Sequence, residues 1–105
     1  MDPRVSWADR YVESLKAGEV VSFRPRGSSM SPKIESGNLV TVEPLRDKPP
    51  ETGEVVLCEV AGAQYLHVVK AVQLKRVLIG NNRGYLNGWT PLKKVYGRVT
   101  KVEHV

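Results

Sequence analysis

The stretch Glu54-Val55-Val56-Leu57-Cys58-Glu59-Val60-Ala61-Gly62-Ala63-Gln64-Tyr65-Leu66-His67-Val68-Val69 reads as two β-type runs folded back about a short turn. β-Branched and aromatic residues recur in both arms, and Ala61-Gly62 looks like the tip of a hairpin. Working outward, the arms are Glu54 to Val60 and Gln64 to Val72, and runs of the same kind follow at Glu19 to Arg24, Leu39 to Glu43, Arg76 to Ile79 and Val95 to Val102. Turn-forming joints separate them: Gly27 to Pro32, Ser36-Gly37-Asn38, Pro44 to Gly53, and Gly80 to Gly88. Pro49-Pro50 in the third joint is incompatible with helix and is expected at the surface. No helices stand between these runs to carry crossovers. The expectation is therefore a mainly β fold, an antiparallel sheet coiled towards a barrel.

One helix precedes the sheet, read over Ser6 to Gly18. Ser6 can cap it, Asp9 stands three residues on as the capping-box partner, and Gly18 is a usual stop. Trp7, Tyr11, Val12 and Leu15 fall on one face at helical spacing and should pack on the sheet. The chain of 105 residues is long enough for one core only. It reads as a single domain, 1–105, with residues 1–18 contributing the helix and 19–105 the β core.

Composition narrows the function. At 41% hydrophobic and 26% charged the chain has an ordinary globular balance. No apolar run approaches the roughly 20 residues of a membrane span, and the first residues are too polar for a signal peptide. A cytoplasmic protein with no membrane anchor is expected. The single Cys58 excludes an internal disulfide and a cysteine-rich zinc site. No metal or cofactor is expected. The net charge of +5 would suit a polyanion, but the 16 basic residues are scattered. A solvated basic surface is the plainer reading, and weak nucleic-acid binding through it the alternative.

The joint Arg26-Gly27-Ser28-Ser29-Met30-Ser31-Pro32 is unusual in placing a methionine among loop formers. A serine there becomes a nucleophile only if a base takes its proton. His67 offers a neutral imidazole at physiological pH. Lys70 is a second candidate, but three residues along a strand should turn it to the opposite face. His104, near the chain end, reads as solvated, and Cys58 as a small core residue.

Together these residues carry a resemblance. Gly27-Ser28-Ser29-Met30-Ser31-Pro32 followed by Gly37-Asn38-Leu39-Val40-Thr41-Val42 is similar to the nucleophile signature of the superfamily joining type I signal peptidases and LexA-like repressors. Gly53-Glu54-Val55-Val56, Tyr65-Leu66-His67-Val68-Val69, Gly80-Asn81-Asn82 and Val95-Tyr96-Gly97-Arg98-Val99 resemble its later boxes, in order. The resemblance spans about residues 20 to 102. It implies a serine peptidase cleaving a peptide or protein substrate, with Ser29 as nucleophile and His67 as base. Gly27 and Ser28 would shape the oxyanion loop with the Ser29 amide, and Met30 would plug the core and fix the turn. Members using histidine orient it with an aspartate near the Gly-Asp-Asn box, where this chain has Asn81 and Asn82. These two are the expected orienting residues, able to accept a hydrogen bond but without charge. A catalytically weak or inactive relative, acting as a protein- or nucleic-acid-binding module, is the alternative. Self-cleavage is disfavoured, because Ala17-Gly18 and Ala61-Gly62 are not placed where LexA-like members cut themselves.

Overall fold

The computed structural model describes residues 6–27 and 29–104. Its elements are α1 (Asp9–Lys16), β1 (Val21–Phe23), β2 (Leu39–Glu43), β3 (Val55–Val60), β4 (Ala63–Gln73), β5 (Arg76–Gly80), β6 (Leu86–Pro91), a single 3₁₀ turn at Leu92–Lys94, and β7 (Val95–Glu103). The seven strands form one antiparallel sheet in the order β1-β2-β7-β3-β4-β5-β6. The sheet coils but does not close. Thr90 Oγ1 on β6 donates to the Glu59 carbonyl of β3 at 2.6 Å, so the β6 edge hangs over strands from which β5 separates it in the ladder.

The central hairpin forms as the sequence indicates. Val60 pairs with Ala63, and both turn residues have positive φ, Ala61 at 50° and Gly62 at 85°, the sign a two-residue type I′ turn requires. β3 is buried along both faces. Val55 and Leu57 face one apolar cluster with α1, β1, Met30 and Ile34, while Val56, Cys58 and Val60 face a second with Val69, Val77 and Ile79. A strand sandwiched in this way reads as a continuous apolar run because neither face meets water.

The helix is shorter than Ser6 to Gly18. Ser6 and Asp9 form half of the expected capping box: Asp9 Oδ2 accepts from the Ser6 amide at 2.9 Å, but Ser6 Oγ accepts from the Ala8 amide at 3.3 Å and not from Asp9. They close a turn just before the regular helix, which starts at Asp9. Val12 and Leu15 are buried, worth about 1.5–3 kcal/mol each. Trp7, expected to pack on the same face, is instead 51% exposed. Gly97 is where the helix meets β7: a Cβ there would come 2.5 Å from the Glu43 carbonyl and 3.1 Å from Leu15.

Two features depart from the sequence reading. Pro50 is buried, and only Pro49 is exposed; Arg98 ties this joint down through the Lys48 and Pro49 carbonyls and Glu54. The joint Gly80 to Gly88 also ends early, because Leu86–Pro91 pairs with β5 as an edge strand. Gly88 and Pro91 hide β6 in the sequence; an edge tolerates a proline that a central strand would not.

Candidate active site

Ser29 sits in the turn that follows β1, between two apolar anchors and a polar clasp. Met30 and Ile34 are 5% and 3% exposed and belong to the cluster under α1. The Ile34 amide donates to the Met30 carbonyl at 2.9 Å, closing one helical turn between the two anchors. Asn38, at the position where the resembling family has aspartate, is buried and accepts from the Glu35 amide at 3.0 Å. Its role is structural. The clasp is Asn82, whose backbone amide donates to the Ser29 carbonyl at 3.0 Å and whose Nδ2 donates to the Ser31 carbonyl at 3.1 Å.

β4 brings the partner. Ser29 Oγ lies 3.3 Å from His67 Nε2, across 38 residues of chain. His67 is 8% exposed, its ring stacked on Tyr65 with centroids 4.9 Å apart. Burial holds its pKa below the ordinary histidine value; the bond from Asn87 works upward, and the positive charge of Lys70 again downward. The Lys70 influence was not expected from strand alternation. The β4–β5 register slips between Val69 and Ala71, so Lys70 occupies a bulge, and its stem lies beside Gly80. It is still His67 that reaches Ser29.

The other imidazole nitrogen meets an unforeseen residue. His67 Nδ1 is 2.7 Å from Asn87 Oδ1 on β6. The orienting role expected of Asn81 and Asn82 therefore needs correction, since both are committed elsewhere. Asn81 Oδ1 accepts from the Arg83 and Tyr85 amides at 2.8 and 2.9 Å, building the turn into β6, and Asn82 holds the nucleophile loop. A short polar side chain bonding its own neighbouring amides is ordinary turn chemistry. No local signal marks Asn87, whose placement depends on the register slip between β5 and β6. Gly27 lies on the loop with φ 99°, in the cavity wall, and Ser28 lies outside the described residues.

A cavity of about 460 Å³ opens beside Ser29 and His67. Met30, Ile34 and Leu66 contribute apolar surface, and Trp7, Tyr11 and Phe23 form an aromatic wall, Tyr11 stacked on Phe23 at 4.4 Å. The cavity also borders a sheet edge that is unpaired among the described residues. β4 pairs with β3 from Ala63 to Val68, but with β5 only from Val68 onward. Antiparallel alternation then turns the backbone groups of Gln64 and Leu66 away from β3, to the open side. Gln64 Oε1 is buried there with no hydrogen-bond partner among the described residues.

A family model described as Peptidase S24-like matches residues 3–99. The chain belongs to that family. No curated protein matches the sequence. The family agrees with the ordered boxes read from the sequence and makes this a peptidase-like fold. Among the described residues no three His, Cys, Asp or Glu side chains converge as metal ligands, and no helix is long and apolar enough to cross a membrane.

Proposed function

We propose that this S24-like protein is a serine peptidase that cuts a peptide or protein substrate with a Ser29–His67 dyad. The observation that carries the reading is the 3.3 Å approach of Ser29 Oγ to His67 Nε2. Ser29 Oγ attacks the scissile carbonyl carbon while its proton passes to Nε2. The Ser29 amide, at the end of the loop that Gly27 opens, holds the oxyanion. His67 then returns the proton to the leaving amine, and an acyl-enzyme remains on Ser29. Water, activated by the same imidazole, releases the acid and restores the serine. The open β4 edge suits an extended substrate, whose backbone adds as a strand beside Gln64 and Leu66 while its side chains enter the cavity.

A fluorophosphonate probe tests this reading. It should label the wild-type protein once, and Ser29→Ala should not be labelled. Absence of labelling across pH 5 to 9 would sink catalysis.

The second reading is a module that binds a peptide without cutting it. The uncharged group beside His67 favours it, because replacing the triad aspartate by asparagine in serine proteases costs about 10⁴ in rate. Peptide binding by a protein that resists the probe would be its signature. Nucleic-acid binding through the basic surface would instead weaken steeply with salt.

A further inference from the structure

We propose that Asn87 is the positioning residue of this site: its Oδ1 accepts the Nδ1 proton of His67 and thereby leaves the Nε2 lone pair facing the Ser29 hydroxyl. The inference rests on the peptidase reading and adds the group that makes the imidazole usable as a base. A neutral imidazole carries one N–H, and an amide oxygen can only accept. The 2.7 Å contact with Oδ1 therefore requires the proton on Nδ1, which leaves Nε2 bare toward Ser29 at 3.3 Å. Turned the other way, the amide would donate to Nδ1 and force the proton onto Nε2. The ring would then present a donor to the serine, the wrong tautomer that disables an asparagine-substituted triad. Which amide atom faces the ring thus decides between a working and a disabled base.

The fold delivers Asn87 deliberately. Gly80 leaves no room for a Cβ, which would stand 2.5 Å from the Tyr85 carbonyl, so the turn from β5 into β6 closes tightly. The β5–β6 register slips between Ile79 and Gly80, and Gly88 has φ 129°, which together aim residue 87 at β4. Thr90 then pins the strand to β3. The other groups facing His67 are the Tyr65 ring and the Lys70 charge. No carboxylate faces the ring among the described residues. Asn87 consequently selects a tautomer while supporting imidazolium less than a carboxylate would. Such a base is weaker than a carboxylate-supported one but stays neutral to lower pH.

Long-range proton–nitrogen NMR of histidine-labelled protein, combined with fluorophosphonate labelling rates, tests this in the wild type, Asn87→Asp and Asn87→Leu. The wild type should show His67 protonated at Nδ1 above its titration midpoint. Asn87→Asp should keep that tautomer, raise the midpoint by about one pH unit or more, and move the acid limb of labelling upward with it. Asn87→Leu should mix the tautomers and slow labelling by on the order of 10²-fold, a loss that Asn87→Asp does not share. An Nε2–H tautomer in the wild type, or an unchanged tautomer and rate in Asn87→Leu, would overturn the assignment. Should Asn87→Leu not fold, an unmoved midpoint in Asn87→Asp overturns it equally. If tautomer control by Asn87 is observed but no form is labelled, the positioning stands and the peptidase reading fails.

Discussion

The loop carrying Ser29 and the strand carrying Asn87 approach opposite nitrogens of one imidazole, and they are held by different forces. The loop is anchored by apolar burial, with Met30 and Ile34 sunk into the cluster under α1. β6 is anchored by backbone register to β5 and by one buried hydroxyl, Thr90. Burial is large and non-directional, so the loop contributes to stability as well as chemistry. Register is directional and individually weak, so β6 contributes geometry at little energetic weight. The two sides of His67 should therefore respond differently to mutation.

The sharpest way to break the comparison is Ser29→Ala, which should abolish probe labelling altogether while the thermal midpoint stays near that of the wild type. A labelled Ser29→Ala protein would place the nucleophile elsewhere. Met30→Ala should cost about 2–5 kcal/mol in chemical denaturation, because it opens a cavity beneath the turn. A loss no larger than a surface substitution would mean that the loop is held by its polar clasp alone. On the opposite side, Thr90→Val should cost only about 1 kcal/mol, by removing the bond to the Glu59 carbonyl. Its labelling rate should nevertheless fall, since β6 loosens over His67. A stability loss as large as that of Met30→Ala would erase the distinction.

The pH profile gives a subtler check. His67 must be neutral to accept the serine proton, and burial lowers its pKa. The base is therefore retained as pH falls below the ordinary histidine value near 6.5, and the acid limb of labelling should lie under it. The same shift makes folding less favourable as pH drops from that ordinary value towards the lowered one, where the unfolded chain binds a proton that the fold resists. An acid limb above 6.5 would point to a charged partner for the ring. The smallest effect is expected at Cys58: burial pushes its thiol up to about 12, so native protein should resist alkylation and react only on unfolding.

How much of this was legible depended on how local each signal is. The hairpin, the Met30 anchor and the Ser29–His67 pairing could be read because apolar alternation, turn residues and ordered boxes are written in consecutive positions. The exposed Trp7 shows the limit of periodicity, which assigns a face but not how far a neighbouring element covers it. β6 was missed because Gly88 and Pro91 are punctuation in a linear reading and tolerable features on a sheet edge. Asn87 was missed with it. Asn81 and Asn82 were misread for the converse reason: their place in a box suggested a catalytic task, whereas their side chains bond nearby carbonyls and amides.

By itself the chain determined six of its seven strands and the central hairpin, its antiparallel class, its family, and the two side chains that meet across the site. These follow from period-two burial, the small residues of the hairpin, and motif order, all properties of neighbouring residues. Only the tertiary structure decided what stands behind the imidazole, how Lys70 comes to influence it, and where the sheet stays open beside the cavity. Those depend on bulges and on the curl that lays β6 over β3, and a shift of one residue in strand register, invisible in composition or pattern, would turn Asn87 to the other face.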